Sequence, residues 1–170
     1  MEIRAALEAD LPSILAIYND AVVNTTAIWN DDIVDLDNRR AWFTARTGQG
    51  YPVFVAEEDA RVLGYGSYGD FRPFQGYRFT VENSVYVAAE ARGKGAGAAL
   101  LTALVGHAGA AGKHVMIAAI TAGNEASVRL HARQGFHETG RLGEVGFKFG
   151  RYLDLILMEK RLTRVSSPAA

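Results

Sequence analysis

A glycine-rich junction between a strand-like run and an alanine-rich segment most constrains what this chain can fold into. The junction comprises Arg92, Gly93, Lys94, Gly95, Ala96, Gly97 and Ala98. Its three glycines leave the backbone bare, so several N–H groups can converge on one anion at the positive end of the following helix. The two basic side chains add positive charge beside it. The junction therefore predicts a binding site for a pyrophosphate.

Two familiar glycine motifs fit this junction poorly. A P-loop requires Ser or Thr directly after its lysine, and Lys94 is followed by Gly95. A dinucleotide fingerprint is matched loosely, because Gly93 to Ala98 reads G-x-G-x-x-A. That fingerprint also needs an acidic residue about 20 positions later for the ribose, and residues 113–119 contain none. The dinucleotide interpretation is therefore disfavoured.

Composition limits the class of protein. With 170 residues the chain is most simply one domain, 1–163, followed by a tail at 164–170 that we expect to be disordered. A net charge of −1 gives no basic field for nucleic acid or an anionic membrane. The absence of cysteine excludes disulfides, thiolate metal sites and a cysteine acyl-enzyme. We expect a cytoplasmic protein, because the chain begins with no basic-then-apolar run.

Hydrophobic periodicity and turn residues predict the order of the elements. Helices are predicted at 11–23, 36–47, 96–111 and 124–134, and strands at 2–6, 52–57, 62–68, 78–87, 114–120, 136–140 and 152–162. Strands cluster early and then alternate with helices. This order predicts an α/β (α+β) fold in which helices cover the faces of a mixed sheet.

Two separated segments together resemble a known superfamily. The pattern Arg92-x-x-Gly95-x-Gly97 after a strand resembles the acyl-CoA pyrophosphate loop of the GCN5-related N-acetyltransferase (GNAT) superfamily. Residues 124–136, in which an Asn opens a helix that ends in Gly-Phe, resemble its second motif. The resemblance implies a mixed, mostly antiparallel central sheet flanked by helices.

Further segments resemble one branch of this superfamily, the phosphinothricin and methionine sulfoximine/methionine sulfone acetyltransferases. They are Tyr18 to Val22, Thr25 to Ala27, Phe74 to Arg78, Thr80 to Val87 and Lys148 to Asp154, and the similarity runs from about residue 2 to 162. It implies acetyl transfer from acetyl-CoA to the α-amine of such small amino-acid analogues. Members of this branch are dimers, and aromatic loops at 145–152 are expected to form a shared pocket rim.

Acetyl transfer to an amine needs a base for the ammonium, donors for the oxyanion and an acid for the thiolate. Glu82 is the candidate base, with a surface carboxylate as the alternative. His131 is the candidate acid, because this branch has a His where many members have Tyr; the alternative is a structural His at the end of a helix. His107, His114 and His137 form no metal-ligand spacing with it, so no metal site is predicted. Without a cysteine or a G-x-S-x-G elbow, direct attack by the amine is favoured.

The remaining site residues follow from the same resemblance. Backbone groups of Val85, Tyr86 and Val87 are expected to bind the oxyanion and the pantetheine arm. Asn124 is expected to bind the cofactor through its amide, or only to cap a helix. Arg129 and Arg133 are expected to be solvated, although one could reach the adenosine phosphate.

The turn before the fourth predicted strand is the candidate substrate site. Its residues Arg72, Gln75, Gly76, Tyr77 and Arg78 offer a cation for a carboxylate and aromatic walls. Trp29, Phe149 and Tyr152 are further candidates for closing the pocket. Another amine, such as a protein N-terminus or a polyamine, and a non-catalytic acyl-CoA-binding module remain alternatives. A polyamine site should be strongly acidic, which this turn is not.

Overall fold

The computed structural model describes residues 1–162, so residue 163 and the tail predicted at 164–170 lie outside the described residues. Within that range four α-helices surround one sheet. The helices are α1 (Leu11–Asn24), α2 (Leu36–Gly48), α3 (Ala96–Ala110) and α4 (Glu125–Arg133). The strands are β1 (Glu2–Ala5), β2 (Val53–Glu58), β3 (Arg61–Asp70), β4 (Thr80–Val87), β5 (Val115–Thr121), β6 (His137–Lys148) and β7 (Arg151–Arg161). The predicted α/β architecture is confirmed.

The seven strands form one sheet in the order β1-β2-β3-β4-β5-β7-β6. All neighbours are antiparallel except β4 and β5, as expected for a mixed, mostly antiparallel sheet. The parallel pair is short: it runs only from Thr80 opposite Val115 to Glu82 opposite Ile117. Beyond Glu82, β4 stays paired with β3 and β5 stays paired with β7. The sheet therefore opens into a V between these two strands.

Helices pack on both faces of the sheet. A Cβ placed on Gly66 would meet Leu104 of α3, and one on Gly69 would meet Arg46 of α2. Because side chains three positions apart in a strand point to opposite faces, α3 and α2 lie on opposite sides of β3. The Leu-rich stripe of α3 is fully buried, which explains why its alanine-rich sequence forms a helix in the core.

Two expectations about elements were wrong. The strand predicted at 136–140 begins at His137 and continues to Lys148, and residues 145–152 form the end of a β6–β7 hairpin instead of aromatic loops. Two register shifts in β6 break the alternation by which a strand is recognised. Asp10 directly precedes α1 but makes no capping bond. Its carboxylate instead accepts hydrogen bonds from the Arg4 guanidinium.

Candidate active site

The opening between β4 and β5 is a large cleft of about 1310 Å³. Its walls come from the end of β4, the end of β5, the start of α3, the helix α4 and the loop after α1. Parallel strands that separate expose backbone groups that a neighbouring strand would otherwise bind. Val85, Tyr86 and Val87 line this cleft, and on the β5 side they have no partner strand among the described residues. The cleft is therefore a groove with main-chain donors and acceptors along one wall.

The glycine-rich junction forms one end of the cleft. Gly93 and Gly95 have φ of 79° and 88°, a left-handed conformation that strongly favours glycine. A Cβ on either would project into open space, and no side chain caps the first turn of α3. The N–H groups of that turn therefore face the cleft without an intrahelical partner. This bare cradle fits a diphosphate, which the N-terminus of a helix binds well.

The basic residues of the junction differ in their surroundings. Arg92 lines the cleft, and its guanidinium lies 3.5 Å from the carboxylate of Asp20 on α1. Lys94 is exposed and does not line the cleft. Arg129 and Arg133 are exposed residues of α4 at the cleft wall. Positive charge is therefore spread along the rim instead of being concentrated at one point.

Glu82 lies at the apex of the V, where the pairing of β4 with β5 ends. The side chain is partly buried, and this burial raises the pKa of its carboxyl, opposed by the positive charge of Arg72. A raised pKa brings a carboxylate closer to the range in which it accepts protons efficiently near neutral pH. Glu82 therefore stays the candidate base predicted from the sequence.

His131 is a buried residue of α4 and is held at both ring nitrogens. Nδ1 lies 2.8 Å from the carbonyl oxygen of Ser127, and Nε2 lies 3.1 Å from Oδ1 of Asn83. The Asn83 amide donates in turn to the carbonyl of Ile117 at 3.0 Å. His131 therefore ties α4 to both strands of the V.

The protonation state of His131 is set by two opposing effects. Both of its partners are oxygen atoms that accept, so only the doubly protonated ring satisfies both contacts. Burial acts in the other direction and lowers the pKa of His131, with the bond to Ser127 opposing it. A group balanced in this way gains or loses a proton when its neighbourhood changes.

Asn124 has the capping role considered for it from sequence, and its cofactor role stays a prediction. Its Oδ1 accepts from the N–H of Ser127 at 3.1 Å, so it caps α4. It also lines the cleft, which leaves its amide NH₂ available to a ligand.

The turn predicted to bind substrate lies on the surface. Gln75, Gly76 and Tyr77 form an exposed 3-10 turn, and Arg78 donates to the Gln75 carbonyl at 3.3 Å. None of them lines the large cleft. Arg72 differs, because its charge acts on the Glu82 carboxyl. The substrate role of this turn stays a prediction.

Sequence reasoning missed how the loop after α1 is held. The indole N–H of Trp29 donates to Oγ1 of Thr121 at 2.8 Å, which fixes the loop to the end of β5. Lys148 of β6 is 1% exposed, and its ammonium donates to the carbonyls of Val22, Thr25 and Ile28. Because the sequence predicts a loop around Lys148, it does not indicate that this lysine binds the loop after α1. Of the predicted closing aromatics, Trp29 and Phe149 line the cleft, and Tyr152 does not.

Two kinds of feature are absent from residues 1–162, the described part of the chain. No helix in this range is long and apolar enough to cross a membrane. No three His, Cys, Asp or Glu side chains in the same range are grouped as metal ligands would be.

Comparison with known proteins connects this cleft to a family. The Acetyltransferase (GNAT) family profile matches residues 14–136. An L-methionine sulfoximine/L-methionine sulfone acetyltransferase from Pseudomonas paraeruginosa is 62% identical over 161 residues, which cover 94% of each chain.

Two solved structures are similar in fold and sequence. A ribosomal-protein-alanine N-acetyltransferase from Brucella melitensis is 56% identical with a TM-score of 0.94, covering 95% of this chain and 99% of that one. A GNAT superfamily phosphinothricin acetyltransferase from Sinorhizobium meliloti in complex with AcCoA is 39% identical with a TM-score of 0.95, covering 99% and 91%. With the family profile, these similarities establish that the chain belongs to the GNAT family of acetyltransferases.

Proposed function

We propose that this protein transfers the acetyl group of acetyl-CoA to the α-amine of small amino-acid analogues, namely methionine sulfoximine, methionine sulfone and phosphinothricin. The names of relatives at 62% and 39% identity support this substrate class. The bare cradle at the start of α3 supports the cofactor, because it fits a diphosphate.

The cleft residues have separate tasks in this reaction. The segment from Arg92 to Ala98 binds the diphosphate, and Asn124 binds the arm of the cofactor through its free amide NH₂. Backbone N–H groups of Val85 to Val87 donate to the acetyl oxygen. Glu82 accepts the proton that the ammonium must lose, and His131 supplies a proton to the sulfur that leaves. Acetyl-CoA itself supplies the acetyl group as a reactive thioester.

The observation that carries this proposal is the position of Glu82. Its carboxyl lies at the apex of the V, with a pKa raised by burial. An α-ammonium is mostly protonated at neutral pH, so the reaction needs a base at that point. A positioned general base contributes about 10²- to 10⁴-fold to a rate.

We also propose that the enzyme is a cytoplasmic homodimer that acts on a small molecule. Apolar side chains of the β6–β7 hairpin, including Phe147 and Phe149, are more than half exposed. Such a patch is typical of a protein interface. Gel filtration at micromolar concentration should show a dimer, and a monomer would contradict this part of the proposal.

Acetylation of a protein N-terminus is the second candidate. It is favoured by the name of the Brucella melitensis relative, a ribosomal-protein-alanine N-acetyltransferase. The two candidates differ in the acceptor, because the first residue of a protein carries no free α-carboxylate.

A thiol-release assay tests both candidates. We would supply acetyl-CoA with methionine sulfone, methionine sulfoximine, phosphinothricin, ordinary amino acids and peptides that begin with Ala. Activity on the free analogues is expected, and activity on peptides alone would overturn the substrate assignment.

Replacing Glu82 tests the mechanism. Glu82→Gln keeps the size of the side chain but cannot accept the proton, so kcat should fall about 10²- to 10⁴-fold. Glu90→Gln is the matched control, because Glu90 is exposed and 3.6 Å from Arg61, outside the cleft. Unchanged turnover in Glu82→Gln, with intact acetyl-CoA binding, would rule out this base.

A further inference from the structure

A second, smaller cavity of about 90 Å³ lies on the α2 side of the sheet. Side chains from α1, α2, β3 and β4 form its wall. They are Tyr18, Arg39, Trp42, Arg46, Tyr65, Ser67, Tyr68, Glu82, Ser84 and Tyr86. The lining is aromatic and also includes two arginines, which is unusual beneath a helix that covers a sheet.

Arg39 is one of these two arginines and is only 8% exposed. Its guanidinium carbon lies 4.0 Å from the ring centre of Tyr18 and 5.2 Å from that of Trp42. Its Nε and Nη2 donate to Oδ1 of Asn38, a neutral amide. No carboxylate of residues 1–162 forms an ion pair with it. Arg39 is therefore a buried cation without an anionic partner in the described part of the chain.

Arg46 lies two helical turns further along α2. Its Nη1 donates to the Tyr68 carbonyl at 3.2 Å, and the guanidinium lies against Gly69, where a Cβ would collide with it. Its Nε is fully buried and has no hydrogen-bond partner in residues 1–162. A buried donor on a charged group without a partner is costly. An anion in the cavity would supply the missing partner.

The small cavity adjoins the large cleft along β4. Glu82, Ser84 and Tyr86, alternate residues of one face of β4, line both. The proposed base therefore stands between the arginines and the place where the acetyl group is expected. An α-amino acid carries its ammonium and its carboxylate on one carbon atom. The ammonium therefore matches the carboxylate base, and the carboxylate matches the two arginines that line the same cavity.

We propose that this cavity binds the α-carboxylate of the amino-acid substrate, with Arg39 and Arg46 as its cationic partners and Glu82 facing the adjacent ammonium. The inference deepens the proposed function and rests on it. A planar guanidinium suits a carboxylate because two parallel N–H groups can donate to its two oxygens. With Glu82 ionised, and with Asp70 beside Arg46 and Arg72 beside Glu82 included, the charged groups around the cavity leave one net positive charge, which one carboxylate neutralises. A cavity of about 90 Å³ suits such a group rather than a whole amino acid.

The proposal predicts selection for free amino acids. An N-terminal residue of a peptide presents a neutral amide where the free amino acid presents a carboxylate, so the arginines would stay unpaired. Leaving buried polar groups of a site unpaired is a strong way to reject an analogue.

The test compares methionine sulfone with 3-(methylsulfonyl)propan-1-amine, the same molecule without its carboxylate. The parent enzyme should acetylate the acid with a kcat/KM about 10- to 100-fold higher, as expected for loss of a charge-assisted contact. In Arg46→Gln, kcat/KM for the acid should fall by a similar factor, whereas kcat/KM for the amine should change less than about 3-fold. Arg40→Gln is the matched control, because Arg40 lies on the same helix, is exposed and pairs with Asp37. It should preserve the parent's preference.

Each outcome decides one question. Equal losses on both substrates, or no loss on either, would overturn the carboxylate site while leaving the acetyltransferase function intact. A parent enzyme without preference for the acid would overturn it without any variant. No activity of the parent on methionine sulfone would instead refute the proposed function. If Arg46→Gln does not fold, Arg46→Lys replaces it in the test, because lysine keeps the positive charge but lacks the planar guanidinium. It should lose part of the same preference, and a full preference would contradict the proposal.

Discussion

Replacing Lys148 with methionine tests how the loop after α1, which forms one wall of the cleft, is held in place. The ammonium donates to three main-chain carbonyls, those of Val22, Thr25 and Ile28, at 2.5, 2.9 and 2.6 Å. The first two belong to the C-terminal end of α1, where carbonyls lack intrahelical partners and the dipole favours a cation. Lys148 therefore caps α1 from a distant strand and fixes the start of the loop that carries Trp29.

The size of the effect follows from the contacts. Three hydrogen bonds to a charged donor, at about 1.5–3 kcal/mol each, sum to about 4.5–9 kcal/mol. Removing the ammonium also removes the cost of burying it, which is several kcal/mol. We therefore expect a net loss of about 3 kcal/mol in the free energy of unfolding. For a chain of this length that lowers Tm by about 6–12 °C.

Thermal unfolding followed by circular dichroism measures this change. Lys113→Met is the matched control, because Lys113 donates to a single exposed carbonyl, that of Arg78 at 2.8 Å. Its variant should stay within about 0.5 kcal/mol of the parent. Below its Tm, Lys148→Met should also show a raised KM for the acceptor amine, since the loop lines the cleft. If Lys148→Met and Lys113→Met have the same Tm, the reasoning is refuted.

Two further predictions concern the cofactor cradle and His131. Gly95→Ala places an alanine in the cradle with a left-handed backbone, which costs about 1.4 kcal/mol. The Kd for acetyl-CoA, measured by calorimetry, should therefore rise about 10-fold. Gly109→Ala, inside α3, should leave this Kd unchanged. Burial lowers the folded pKa of His131 below its ordinary 6.5, so the unfolded chain binds more protons, and stability should fall as pH falls through about 6.5. His131→Gln should show a smaller drop in Tm between neutral pH and pH 5, and an equal drop would contradict a lowered pKa of His131.

Local signals were sufficient to predict the elements that form the glycine-rich cradle. The glycines at 93 and 95 need a left-handed backbone, and the residues on either side form a strand and a helix by their own periodicity. All of that information lies within residues 80–110 of the chain. The same holds for Asn124, whose capping bond to Ser127 is three residues away. The strand β6 could not be read in this way, because its bulges and a positive φ at Glu144 resemble a loop.

The small cavity could not be predicted because the arginines that line it normally indicate a solvent-exposed helix face. Arg39, Trp42 and Arg46 are spaced at i, i+3 and i+7, so they share one face of α2. A helix face with two arginines is normally assigned to the solvent side. In this structure that face of α2 covers the small cavity instead. The sequence of α2 alone does not indicate that Glu82 and the tyrosines lie beneath this helix. Such a site becomes visible only when the helix is placed on the sheet.

The alternation of β4 explains how one strand can serve two substrates. Glu82, Ser84 and Tyr86 point to the side of α2 and the small cavity, whereas Asn83 contacts His131 of α4 and Val85 and Val87 approach α3. In a continuous sheet these two faces would be separated by the backbone itself. Because β5 leaves β4 after Glu82, an amine on one face and a thioester on the other can meet through the opening. The early end of a three-residue parallel ladder therefore brings Glu82, the glycine-rich cradle and the two arginines of α2 to adjoining cavities at one opening in the sheet.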